Sequence, residues 1–143
     1  MARHHQYCDG LFSRSENLVA TRSWDHAAEA FAAFQTAVLQ HFTAEESLIF
    51  PAFEEATGMR MGPTQVMRGE HEQMRQLMDA AYAALQERDA DDYTGYAETL
   101  LIMMQQHNLK EENVLYPLCD QHLGNQADGL LPQLRELLPD GAG

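Results

Sequence analysis

Apolar residues recur every three or four positions over most of the chain, and no stretch alternates with the period of two that a half-buried strand requires. Ala27, Phe31, Phe34, Val38, Phe42, Ile49 and Phe53 form one such stripe, and Val66, Met67, Met74, Leu77, Met78, Ala81 and Leu85 form another. Each reads as the core-facing side of a helix. Turn-forming residues interrupt the pattern around residues 21–23, 57–63 and 88–92. The pattern therefore predicts four helices, at about 4–20, 25–56, 64–87 and 91–122. Their short connections favour an all-α, up-down-up-down antiparallel four-helix bundle. Five leucines in LLPQLRELLP, residues 130–139, predict a short C-terminal helix within about 127–139, which either packs on the bundle end or forms a homodimer contact. The length fits one domain, 1–143, with the bundle at about 4–122.

A repeat lies on top of this pattern. HFTAEESLIFP, residues 41–51, returns 66 positions later as HNLKEENVLYP, residues 107–117. The same shift relates His5 to His71, so each half carries a His, a second His 36 residues on, and a Glu four residues after that. Fixed-period self-similarity is the mark of internal duplication. His and Glu four apart lie one turn apart on one side of a helix, so His41 with Glu45 and His107 with Glu111 can each aim at one point. At 1.5 Å per residue, His5 and His41 lie at similar distances from the first break, and His71 and His107 from the break near residue 89. All four histidines are thus expected in one layer, with Glu45 and Glu111 one turn further along. The shift also prefers His5 to His4, whose repeat partner is Glu70. His26 and His122 fall roughly 22 Å from the layer and read as surface residues.

Four imidazoles and two carboxylates, with no thiolate among them, suit borderline divalent ions such as iron, manganese or zinc. If Glu45 and Glu111 bridge two ions through an oxo or hydroxo centre, one position on each stays open for a small ligand, unlike a closed structural zinc site. The formal net charge of −13 argues against nucleic acid and anionic membranes as partners. No apolar run approaches a membrane span, and MARHHQYCDG lacks the apolar stretch of a secretory signal, so a cytoplasmic protein is expected. Cys8 and Cys119, without a CxxC, read as free thiols.

With His5, HFTAEE, Glu70-His71 and HNLKEE in place, the chain resembles the hemerythrin-like, or HHE cation-binding, family from His5 to about Tyr116. That resemblance implies a four-helix bundle holding two iron ions, with Mn or Zn as substitutes, on His5, His41, Glu45, His71, His107 and Glu111, the glutamates bridging. It implies O2, NO or peroxide as the small partner. Oxygen-carrying members have a further histidine where this chain has Arg75 and place a bridging Asp five residues past the last histidine, whereas Glu111 lies four past His107. The present set is more similar to bacterial iron-centre repair proteins and other short HHE proteins, which argues against simple oxygen carriage. The expected roles are binding O2, NO or a related oxidant for sensing, storage or protection; a di-iron enzyme reducing peroxide or NO, or an iron donor for iron-sulfur repair; or a metal-stabilised bundle.

Several neighbours carry narrower expectations. Pro51 and Pro117 either kink their helices or end them. Arg75 and Asp9, repeat partners four residues past His71 and His5, either pair across the cavity or face solvent. Glu46 and Glu112 sit about 100° round the helix from the proposed ligands, as solvent-facing residues or supports rather than ligands. Cys8 packs by default, with redox reporting as the alternative, and the methionines fill core.

Overall fold

The computed structural model describes residues 2–59 and 61–123, which are helical but for three short connections. Helix α1 spans Ala2–Ala20; α2, Trp24–Ala44, runs through a π-helical turn, Glu45–Ile49, into α3, Phe50–Thr57. Helix α4 spans Pro63–Gln86, and α5, Ala90–Lys110, runs through a second π turn, Glu111–Leu115, into α6, Tyr116–Leu123. These are four helical rods, with breaks where the turn residues predict them. No strand occurs among the described residues, and no helix there is long and apolar enough to cross a membrane. The leucine-rich segment at 130–139 lies outside the described residues, as does the side chain of His122.

The duplication is visible in the backbone of the connections. Among the described residues, Arg22 and Arg88, 66 residues apart, are the two non-glycine residues with positive φ, at 60° and 57°. Each closes the same helix ending: Ser23 N–H donates to the Leu18 carbonyl at 2.9 Å, and Asp89 N–H to that of Ala84 at 2.9 Å. The connection after α3 differs, turning on Gly58 at φ 73°. There a residue without Cβ enters the left-handed region freely.

Two apolar clusters fill the bundle. The larger contains Phe12, Phe31, Phe34, Val38, Phe42, Met74, Met78 and Leu100, and the smaller Ile49, Phe50, Phe53, Met67, Leu115 and Cys119. Met67, Met74, Met78 and Met104 are core residues, as expected of the methionines, but Met59 and Met61, at the connection before α4, are exposed. Val66, expected on the same stripe, is 53 % exposed. It stands about 100° round α4 from Met67, and Thr64, Met67 and His71 take the inward face.

The prolines do not end their helices, the second of the two outcomes expected of them. Pro51 has no N–H, and its ring would meet a carbonyl four residues back in a regular helix. The chain instead widens by one turn: Phe50 N–H donates to the Glu45 carbonyl, five residues back, and Tyr116 N–H to that of Glu111. The helix thus continues past each proline. In an α-helix residues five apart differ by about 140° around the axis, so the wide turn swings Phe50 toward the face of Glu45, and Tyr116 toward that of Glu111.

Candidate metal centre

His5 comes from α1, His41 from α2, Glu45 from the first π turn, His71 from α4, His107 from α5 and Glu111 from the second π turn. All six are buried, four with relative exposures of 0–1 %. The structure brings them into two adjoining groups, Glu45, His71, His107 and Glu111 in one and His5, His41 and Glu111 in the other, each with its ligand-type atoms within 4.8 Å of one another. Glu111 belongs to both. Within them His5 Nε2 is 3.0 Å from His41 Nε2 and 3.1 Å from Glu111 Oε1, while His71 Nε2 is 3.2 Å from Glu45 Oε1 and His107 Nε2 is 3.3 Å from Glu111 Oε1. Phe42 stacks on His71 at 3.8 Å between ring centres and Phe50 lies 5.6 Å from the same ring, so this imidazole meets both apolar clusters.

The outward nitrogens explain why the rings face as they do. His71 Nδ1–H donates to Glu46 at 2.6 Å, His5 Nδ1–H to Glu112 at 3.0 Å and His107 Nδ1–H to Glu70 at 2.8 Å. A carboxylate accepting at Nδ1 leaves the lone pair on Nε2, which faces inward in each case. Glu46 and Glu112 therefore support the histidines and lie outside both groups. His41 has a different partner: its Nδ1 meets His4 Nδ1 at 2.9 Å, with the rings stacked. His4, the repeat partner of Glu70, is buried on the far side of His41 from His5 and lies outside both groups. Burial, then the charges of His5 and the N-terminus, lower its pKa to about 4, so it stays neutral and can accept from His41.

Arg75 does not pair with Asp9. It donates to both carboxylate oxygens of Glu46, at 3.0 and 3.1 Å, and lies over the Phe42 ring. Glu46 on the adjacent rod offers a half-buried carboxylate already fixed by His71, whereas Asp9 is exposed. Asp9 instead lines a surface cleft of about 310 Å³ with His5, Asn108 and Glu112. A cavity of about 10 Å³, room for roughly one water, shares His5 and Asn108 with that cleft and is also lined by Cys8, His41 and Met104. Both cysteines are free, in different clusters. Burial raises the Cys8 thiol to about 12, which leaves it a packing residue rather than a reactive one. His26 is exposed, as expected.

Burial dominates the electrostatics. It lowers His41 to about 3 and lowers His71, while at His107 the same effect is outweighed by Glu111 and Glu70, which raise it. Burial and the charge of Glu111 hold Glu45 well above the carboxylate range. At Glu111 burial is overcome by hydrogen bonds from Glu45, His107, His41 and His5, which hold it well below. Two carboxylates so close cannot both be charged in an apolar interior without a cation between them.

A direct test of fit is the set of buried side-chain polar atoms with no hydrogen-bond partner among the described residues: Glu45 Oε1, His71 Nε2, His107 Nε2 and Glu111 Oε2. All four belong to the group Glu45, His71, His107 and Glu111. Orphaned lone pairs cost about 1–3 kcal/mol each, and here all converge on one region, as the donors of a cation site must. Nitrogen and carboxylate donors without sulfur fit iron, manganese or zinc.

Tyr116 was not legible as part of this centre. Its hydroxyl lies 3.1 Å from Glu45 Oε2, 3.1 Å from Glu111 Oε1, and 3.3 Å from both His5 Nε2 and His41 Nε2. In the sequence it is only the aromatic before Pro117. The available signal was the exchange of Phe50 for Tyr116 at matching positions of the two halves. A family model described as the hemerythrin HHE cation-binding domain matches residues 1–119, whereas no curated protein and no solved structure matches the chain.

Proposed function

Since the chain belongs to the hemerythrin HHE cation-binding domain family, we propose that it is a non-haem di-iron protein that takes up O2, NO or a related small oxidant for sensing, storage or protection. In this reading His5, His41, Glu45, His71, His107 and Glu111 are the ligands, Glu45 and Glu111 bridge, and the four rods run up-down-up-down as one domain. The observation that carries it is the pair of buried groups joined through Glu111, with four unpartnered atoms turned into one of them. Iron bound there would supply electrons and open positions for a small ligand. The chain's own residues do the rest. Glu46, Glu70 and Glu112 hold three imidazoles by their outward N–H, Phe42 and Phe50 keep water from the His71 side, and His5 and Asn108 line both the surface cleft and the small cavity.

The test is metal analysis combined with optical spectra of the reduced protein exposed anaerobically to O2, NO and peroxide in turn. A reversible adduct supports binding, and catalytic consumption of NO or peroxide replaces it with an enzyme. A colourless, zinc-only protein would overturn both and leave a metal-stabilised bundle.

A further inference from the structure

The two groups of ligand-type residues are unequal. One brings together four of the proposed ligands and the other three, although the halves of the chain that supply them are related by a single shift. The atom that fills the remaining corner of the smaller group is the Tyr116 phenol oxygen. Donor atoms held about 2.1 Å from one ion, at right angles to each other, stand about 3 Å apart. His5 Nε2 to His41 Nε2 is 3.0 Å and His5 Nε2 to Glu111 Oε1 is 3.1 Å, and the Tyr116 oxygen joins the same atoms at 3.1–3.3 Å. The spacing of this oxygen is that of a member of the set, with the Tyr116 ring lying nearly parallel to that of His5 at 5.9 Å between centres. The hydroxyl also reaches Glu45 Oε2, so the carboxylates on both sides converge on it.

We propose that Tyr116 is a metal ligand, supplying a phenolate to the ion held by His5, His41 and Glu111. This rests on the di-metal reading above. The second π turn is what permits it, because only the widened turn aims residue 116 along the face of Glu111. In the other half the first π turn aims residue 50 in the same way, but there it is phenylalanine, stacked on His71 without an oxygen to offer. The two metal positions are therefore chemically distinct, one with a phenolate and one without. A phenolate is a hard, anionic donor that suits ferric iron, as in the tyrosine-ligated haem enzymes. On ligation the phenol proton leaves to solvent, as for any ligand that binds deprotonated.

The full chain loaded with ferric iron decides the matter by visible absorption and resonance Raman, read beside iron content. The expected result is a visible phenolate-to-iron charge-transfer band whose excitation enhances tyrosine ring modes, and these modes shift when the protein is grown on ring-deuterated tyrosine. Tyr116→Phe, which places at 116 the residue already present at 50, should lose the band while keeping its iron; Tyr7→Phe should keep both. Among the described residues no other tyrosine hydroxyl bonds a member of the cluster, so the isotope shift decides even if Tyr116→Phe does not fold. Iron bound without tyrosine modes, or a band that survives in Tyr116→Phe, overturns the ligand assignment and leaves the di-iron reading standing. A wild-type chain that binds no iron overturns both.

Discussion

Stripping the metal should cost this protein a large part of its stability. Four buried polar atoms, Glu45 Oε1, His71 Nε2, His107 Nε2 and Glu111 Oε2, have no hydrogen-bond partner among the described residues. At about 1–3 kcal/mol for each buried group left unsatisfied, the sum is about 4–12 kcal/mol. Rearrangement and water entry in the stripped protein recover some of this, so a loss of about 4 kcal/mol is expected. That is a large share of the total of about 5–15 kcal/mol that holds a domain folded. With a urea dependence of about 2 kcal/mol per molar, the unfolding midpoint should fall by about 2 M on chelation, and the melting temperature by about 10 °C. The assay is urea unfolding followed by circular dichroism, on metal-loaded and chelated protein at matched pH. Glu111→Ala supplies the control: it removes the carboxylate common to both groups, so its loaded and chelated forms should nearly coincide. If the wild-type midpoints coincide as well, with metal content verified in both samples, the converging lone pairs are not a cation site and the reasoning is refuted.

Three further outcomes follow from particular contacts. Burial raises Glu46, but its bonds to His71 and Arg75 outweigh this and hold it at about 2, below the ordinary 4.5. A depressed carboxylate stabilises the fold above its unfolded pKa and loses that contribution as pH falls, here from about 4.5 toward 2. Arg75→Met should therefore be less stable at neutral pH, and its stability should fall less steeply across that window; coincident acid-unfolding curves would contradict the pairing. Tyr93 donates to Ser15 at 2.7 Å in a buried site, and Ser15 in turn donates to the Phe12 carbonyl. Tyr93→Phe leaves the serine oxygen without its donor, and calorimetry should find a loss of about 1 kcal/mol. Arg88 sits in the left-handed region at φ 57°, and its 4.0 Å contact with exposed Asp25 contributes little. Arg88→Gly should raise stability by about 0.5 kcal/mol, the relief of strain exceeding the added freedom of the unfolded chain, and a lower melting temperature would refute it.

Much of this molecule was legible because α-helical geometry is local. Residues four apart share a face whatever surrounds them, so the stripe from Ala27 to Phe53 and the pairs His41 with Glu45 and His107 with Glu111 could be read directly. A fixed rise per residue then carried His5, His41, His71 and His107 to one level. The choice of His5 over His4 came from the repeat alone, and in the structure His5 faces Glu111 while His4 backs His41. Val66 shows the limit of the same logic, since an apolar residue beside a stripe is not thereby part of it.

What only the tertiary structure decided is which groups meet across helices. Arg75 chose Glu46 over Asp9 because rotation and spacing of neighbouring rods set the distance, and neither is written in a local period. The π turns also escaped, because a proline in a helix admits a kink, an end or a widened turn, and packing selects among them. The sequence by itself determined four helices, a duplicated frame and the six residues at its centre. The fold decided that one widened turn carries a tyrosine hydroxyl into that centre and the other a phenylalanine, since five-residue offsets share a face only where the backbone leaves the α-helical path.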